Sequence, residues 1–423
     1  MVNDELGQLG YDLLTQAYFL GIRLAAFRNE KAKLWVKGRV GVFEKLAAEI
    51  PLKRRVNQRL VWMHCASLGE FEQGRTVIEA LKKQHLEVLV LLTFFSPSGY
   101  EIRKNYPFAD WVFYLPADSK SNARCFLSLV KPDLVIFVKY EFWYHYLTNL
   151  KQRQIPTLLI AAIFRPSQPF FKWYGWLHRR MLSCFSEILV QDVGSQQLLS
   201  KINLQNVRVA GDSRVDRVLE IAKHPKDLPF VKEFCGNAQV LIFGSTWPAD
   251  EAILNPIFTS DKFNDWKFIL APHDVQPAHI QAIESKLKIP FCRFSQLGNA
   301  DLSATRLLLV DNIGMLSALY FFGKIAYIGG GFGQGIHNTL EPAAYGLPVI
   351  FGPRFRKFEE AVWLVEHGGG FVVRDDNELR EVLAQLTNPE KQSMASKAAK
   401  TYLQMKSGAT QTAMRSVNSL LFG

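Results

Sequence analysis

The sequence predicts an α/β protein built from two doubly wound domains in series, with a cleft between them. Three observations carry this prediction. From residue 60 onward, short apolar or β-branched runs alternate with helix-like stretches. Continuous apolar strands separated by helices imply a parallel sheet covered on both faces. The alternation pauses in "GDSRVDRVLEIAKHPKDLPFVKEFCGN", residues 211–237, a charged stretch with two prolines that suits a linker, and then restarts. Finally, 423 residues are too many for one ordinary core, since about 150 residues per domain is the usual scale. Apolar residues at 48% and charged residues at 21% describe a folded globular chain.

The first element is an apolar, aromatic stretch that turns basic: "LGYDLLTQAYFLGIRLAAFRNEKAKLWVKGR", residues 9–39. Asp12 and Arg23 bracket only ten uncharged residues, 13–22. A spanning helix needs about 20, and a signal peptide places its basic residues before the apolar run. The segment therefore reads as an interfacial helix, with Tyr18, Phe19 and Phe27 inserted. Arg23, Arg28, Lys31, Lys33, Lys37 and Arg39 would meet anionic head groups. The competing reading is a helix packed on the protein's own core.

Strand candidates of the first domain are "RLVWMHC", "EVLVLLT", "WVFYL", "PDLVIFV", "PTLLIAA" and "EILVQ". Those of the second are "AQVLIFG", "WKFILAP", "TRLLLVD", "KIAYIGG", "LPVIFG" and "GFVV". The chain thus divides into a membrane-associated segment 1–40, domains over 41–212 and 213–405, and a C-terminal helix over 406–423. The formal charge of +11 asks for an anionic partner. Nucleic acid is disfavoured, because no RNP-type, zinc or recognition-helix signature is present. The five cysteines (Cys65, Cys125, Cys184, Cys235, Cys292) are scattered and form no CxxC pair. That excludes a disulfide framework and a zinc site, and fits a reducing compartment.

Two junctions carry candidate chemistry. In "WMHCASLGEFEQGR", residues 62–75, an apolar strand ends and a helix begins, with Glu70 behind Gly69 at the boundary. Ligands of open α/β sheets bind outside the carboxyl ends of strands, although a first-turn Glu also complements a helix dipole. In "YIGGGFGQGIHNTLEPAAYGLPVIFGP", residues 327–353, a strand runs into five glycines, then His337, Asn338 and a helix carrying Glu341. Glycines let backbone amides approach a phosphate, and a first-turn Glu can accept both hydroxyls of a ribose. Asp375 and Asp376 follow a strand and read as a helix cap rather than a metal pair.

Four motifs in order resemble the 3-deoxy-D-manno-octulosonic acid (Kdo) transferases of lipopolysaccharide synthesis. They are His64-Cys65-Ala66-Ser67-Leu68-Gly69-Glu70, Gly244-Ser245-Thr246, Asp311-Asn312-Ile313-Gly314, and the run from Asn338-Thr339-Leu340-Glu341-Pro342 to Val349. The resemblance implies a GT-B fold, two Rossmann-like domains facing a cleft, and inverting transfer of Kdo from CMP-Kdo to a lipid A precursor without a metal or other cofactor. It makes Glu70 the catalytic base. It places the nucleotide at Pro272, His273, Asn312, Ile313, Gly314, Asn338, Thr339, Leu340 and Glu341. Ser67, Gly69, Glu141 and Arg165 become acceptor-side candidates. The implied partners are a CMP-sugar, a phosphorylated glycolipid and the membrane surface, with the catalytic domains on the cytoplasmic face of the inner membrane. Lys53-Arg54-Arg55 would face the lipid; the aromatic-basic "FFKWYGWLHRR", residues 170–180, either does the same or is a helix with a core stripe and a solvated basic face. A GT-B enzyme using a UDP-sugar on another lipid-linked acceptor is the alternative. The chain departs from the family at three places. Pro272-His273-Asp274 lacks an expected donor-site arginine. Lys139-Tyr140-Glu141-Phe142-Trp143 has Lys where a first carboxylate is expected. The stretch before Arg165 reads Ala161-Ala162-Ile163-Phe164.

Overall fold

The computed structural model describes residues 2–299 and 301–423. The chain forms two compact units: one runs to Asp216 and regains Ser407–Gly423, the other is Arg217–Lys406. In the first unit three helices, Val2–Ala25, Glu30–Lys37 and Val42–Lys53, precede the sheet. Seven strands follow: β1 (Leu60–Cys65), β2 (Leu89–Phe94), β3 (Trp111–Tyr114), β4 (Leu134–Val138), β5 (Thr157–Ala162), β6 (Glu187–Val190) and β7 (Val207–Val209). They pair in the order β3-β2-β1-β4-β5-β6-β7, every pair parallel. β1, β2, β4 and β5 are buried along their whole length, as a sheet covered on both faces requires.

The second unit repeats the plan with β8 (Gln239–Thr246), β9 (Trp266–Pro272), β10 (Phe291–Arg293), β11 (Leu307–Leu309), β12 (Ile325–Ile328), β13 (Val349–Phe351) and β14 (Gly370–Val372). Their order is β10-β11-β9-β8-β12-β13-β14, again parallel throughout. Each sheet reverses its winding once: between β1 and β4 in the first unit, between β8 and β12 in the second. Such switch points are where open α/β sheets take their ligands.

Four sequence expectations change. The stretch read as a linker is largely helical, at Ser213–Lys223 and Pro229–Cys235, and the units part inside the first of these helices. Val215 and Val218 give that charged helix a buried edge. The N-terminal helix is docked on its own unit rather than free. Tyr11 donates to Asp118 at 2.6 Å, Asp12 lies 2.5 Å from His145 Nε2, and Phe19 is buried against Trp35, Phe95 and Trp143. Phe19 therefore does not insert into lipid. Arg39 does not face head groups either. Its guanidinium lies 3.7 Å from the centre of the Trp35 ring and donates to the carbonyls of Trp35, Phe95 and Leu115, and burial lowers its pKa to about 9. Finally, Arg54 is committed to Asp133 at 2.7 Å and to the carbonyls of Gln58, Val130 and Lys131.

The opposite side of the first helix keeps an apolar stripe. Leu9, Leu13, Leu20 and Leu24 are each more than half exposed, and Phe27 beyond the helix end is 86% exposed. Spacings of four, seven and four residues place the leucines on one face. No helix among the described residues is long and apolar enough to cross a membrane. In the 170–180 stretch, Phe170 is core, whereas Trp173 is 91% exposed. The C-terminal helix Ala409–Phe422 inserts Ala413, Met414, Val417 and Leu421 into the core behind β1, with Met63 and Cys65. The Asp216 carboxylate holds its first turn, accepting from the amides of Gly408 at 2.7 Å and Thr410 at 2.5 Å.

Candidate active site

In the first unit, β1 delivers Glu70 to the carboxyl end of the sheet at the switch point. Ser67 is the N-cap residue of the helix Leu68–Gln84, in extended conformation. Glu70, in the first turn, folds back so that the Ala66 amide donates to its Oε2 at 2.5 Å. Gly69 is exposed, and a side chain there would meet only Ser67 Oγ at 4.0 Å. The glycine is therefore not demanded by packing; it leaves the approach to Glu70 open. Burial and the nearby Glu141 raise the Glu70 pKa to about 7, with the amides of Ala66 and Ser67 and the charge of Lys139 pulling the other way. A carboxyl with this value is half ionised near neutrality, which suits a general base.

Glu141 is buried and has fixed partners. Its Oε2 accepts from Trp143 Nε1 at 2.6 Å and lies 2.8 Å from His64 Nε2, while His64 Nδ1 lies 2.9 Å from Thr93 Oγ1. The His64–Glu141 bond clamps the end of β1 to the segment after β4. Arg165 is exposed after β5, and Lys139 directly follows β4. Glu70, Glu141 and Lys139 thus converge at neighbouring strand ends. Arg214, ion-paired with Asp212 at 2.7 Å, acts electrostatically on Lys139, as does Arg165. Strain accompanies this convergence. Lys139 and Ala161 have φ of +67° and +56°, as does Ser245 at the end of β8 with +54°. Non-glycine residues adopt this conformation uncommonly, and three of them here lie at strand ends beside the candidate residues.

In the second unit the candidate residues gather at the ends of β8, β9, β11 and β12. Pro272 closes β9, and His273 beyond it is exposed. Trp247, His273 and His337 form a continuous ring stack, with centroids 4.5 Å apart for Trp247–His273 and 4.5 Å for His273–His337. Trp247 Nε1 donates to His337 Nε2 at 3.0 Å, which puts the proton of a neutral His337 on Nδ1. Burial and the neighbouring His273 lower the His337 pKa. Asn312, Ile313 and Gly314 form an exposed loop after β11, with Ile313 84% exposed. Asp311 fixes its start by accepting from Ser295 N and Oγ at 3.0 and 2.6 Å. Asn338 Nδ2 donates to Glu341 at 3.0 Å, and its Oδ1 accepts from the Leu340 amide. Burial raises the Glu341 pKa, and Asn338 and Arg217 oppose it. Thr339 Oγ1 is buried with no hydrogen-bond partner among the described residues.

Several amides of the glycine loop are engaged within the protein. The Gly330 amide donates to Asp250 at 2.9 Å, and those of Gly333 and Gly335 donate to Gly330 O. A side chain on Gly331 would come within 2.5 Å of the Gly352 backbone. Gly331 thus lets the exits of β12 and β13 pack together, and Gly329 those of β12 and β8. Asp375 does cap its helix, accepting from the Glu378 amide at 2.9 Å. Trp247, Asp250 and the Asp212–Arg214 pair were not singled out by sequence reasoning, and Lys139 was noted only as a departure from the family's pattern. Their only signal was position: each lies just beyond a strand of the central sheet.

The fold and these two strand-end sites define the class, a two-domain GT-B-type α/β protein. Solved structures agree on the fold: UDP-GlcNAc 2-epimerase from Neisseria meningitidis aligns at TM-score 0.59 and 16% identity, covering 85% of this chain and 100% of that one. A glycosyltransferase from Rickettsia africae aligns at 0.53 and 13% identity, covering 87% and 100%. Residues 36–217 match the family model described as 3-Deoxy-D-manno-octulosonic-acid transferase (kdotransferase). The 3-deoxy-D-manno-octulosonic acid transferase of Aquifex aeolicus is 29% identical over 359 residues, 83% of this chain and 92% of that protein. That of Chlamydia trachomatis serovar A is 24% identical over 363 residues, 83% and 84%. The chain is a relative of the Kdo transferases, which are glycosyltransferases, and the resemblance read from its motifs is borne out.

Proposed function

We propose that the protein transfers Kdo from CMP-Kdo to a phosphorylated lipid A precursor, with inversion and without a metal. The observation that carries the reading is Glu70: a half-buried carboxyl, open to approach past Gly69, poised near neutrality, at the switch point of the unit that matches the kdotransferase model. Glu70 takes the proton of the acceptor hydroxyl as it attacks the anomeric carbon, whose bond to the CMP phosphate breaks. Glu141, held by His64 and Trp143, keeps the strand ends in register. Pro272, His273, the Asn312-Ile313-Gly314 loop and Asn338, Thr339, Leu340 and Glu341 take the nucleotide. Glu341 accepts from the ribose, and the imidazole of His273, on the ring stack, meets the departing phosphate.

The N-terminal helix lies on the cytoplasmic face of the inner membrane. Its exposed leucine stripe enters the interface, and the exposed Arg23, Arg28, Lys31 and Lys37 face anionic head groups. Mass spectrometry of a lipid A precursor incubated with enzyme and CMP-Kdo tests the reaction. A mass increase of one or more Kdo units is expected. Transfer from a UDP-sugar instead, with thermal stabilisation by UDP and not CMP, would overturn it.

A further inference from the structure

The reaction above leaves Lys139, in the first unit's site, without a task. It follows β4, and the register His64↔Phe137 continues to set Lys139 beside Ala66, the residue whose amide holds Glu70. On its other side the register Val138↔Ile160 sets it opposite Ala161, from which the chain leads to Arg165. Its own amide still donates to Ile160 O at 2.9 Å, so the backbone is pinned at φ +67°. The side chain is half-buried, yet among the described residues its ammonium makes no ion pair or hydrogen bond; it lies 5.6 Å from the centre of the Tyr140 ring. Arg165 likewise has no ion-pair partner for its guanidinium among the described residues, and the two cations repel each other. The Arg214 charge adds to that repulsion, while Glu70 and Asp212 oppose it from beyond ion-pair range.

A half-buried ammonium in a strained backbone, flanked by like charge and left unpaired, is arranged for a counter-ion that arrives with the ligand. We propose that Lys139, with Arg165 beside it, binds an anionic oxygen group of the sugar substrate, a carboxylate or a phosphate monoester, immediately next to Glu70. This rests on Glu70 being the catalytic base. Two sources carry that chemistry: the carboxylate of the donor sugar and a phosphate on the acceptor. In either case the anion fixes the distance between Glu70 and the attacking hydroxyl.

The test compares Lys139→Met, Lys139→Arg and wild type in steady-state transfer, with circular dichroism to confirm folding. Lys139→Met is expected to raise one KM about tenfold to a hundredfold, as loss of a charge-assisted bond does, with kcat changed several-fold at most. Lys139→Arg should recover most of the loss. A rise confined to the donor KM assigns the carboxylate. A rise confined to the acceptor KM, and absent with an acceptor lacking its phosphates, assigns the phosphate. Unchanged KM values for both substrates, or Lys139→Arg as impaired as Lys139→Met, would overturn the inference. A second arm needs no transfer: calorimetric binding of free Kdo and of a glucosamine phosphate to the full chain. Wild type should bind at least one, and Lys139→Met should bind it at least tenfold more weakly. If the enzyme transfers no Kdo but this dependence on Lys139 holds, the anion site stands and the reaction assignment falls. If the wild type binds neither probe at millimolar concentration, the anion site falls.

Discussion

Replacing Glu70 by Gln should remove activity and add stability, and the two effects have one origin. The fold raises the Glu70 pKa from the ordinary 4.5 to about 7, first through burial and then through Glu141. A carboxyl whose folded value lies above its unfolded one favours the protonated form in the fold. The associated penalty is absent below pH 4.5, grows as pH rises, and is complete above about 7. At about 1.36 kcal/mol per unit, the full displacement corresponds to roughly 3 kcal/mol. Glu70 retains some solvent contact, so about 1–2 kcal/mol is the expected effect. Gln keeps the shape and an oxygen for the Ala66 amide but carries no charge, so it escapes the penalty. Urea unfolding of both proteins at pH 5 and pH 8 measures this. The two should nearly coincide at pH 5, and the variant should be more stable at pH 8. Transfer should fall about 100- to 10,000-fold in the variant, and wild-type kcat/KM should decline on the acid side with an apparent pKa near 7. Equal stability differences at both pH values would refute the burial argument. Activity within a few-fold of wild type would remove Glu70 from the chemistry.

In the second unit, Glu341→Ala should weaken CMP binding about tenfold to a hundredfold, because it removes charge-assisted bonds to the ribose. An unchanged dissociation constant in calorimetry would leave Glu341 only its bond to Asn338. Changing Leu13, Leu20 and Leu24 together to Ser should lower vesicle binding about a hundredfold at high salt, where the basic residues are screened. The three are exposed, so the melting temperature should hardly move; co-sedimentation equal to wild type would show that the stripe is not the membrane contact.

The central strands were legible because burial on both faces leaves an unbroken apolar run. β7 and β10 were not. Each has three residues at a sheet edge, and Val207 to Val209 alternate with an exposed Arg208 instead of forming a run. Phe19 and Arg39 were misplaced for a shared reason. Their surroundings, Trp35, Phe95 and Leu115, come together only when the first helices meet the ends of β2 and β3. A sequence shows that a helix has two unlike faces, but not that both are apolar for different purposes. Glu70 was readable because its constraint is local, within four residues of Ala66. Lys139 was not, because its meaning depends on strand register: only pairing of β1 with β4 sets it beside the base. The packing of the glycines was not legible either: Gly329 and Gly331 are needed where the β12 exit meets the backbone after β8 and β13, pairings that composition does not show.

The return of the C-terminal helix to the first unit has a consequence for biosynthesis. The core behind β1 stays open until Met414, Val417 and Leu421 arrive. The second unit, by contrast, is contiguous from Arg217 to Lys406. A ribosome therefore completes the second unit while the first still lacks part of its wall, although the first began emerging earlier. A chain interrupted before residue 409 would keep the whole second unit and leave the proposed base on an unfinished sheet. Residues 409–422 thus sit beside the helix that carries Glu70, and not on the unit that immediately precedes them in the chain.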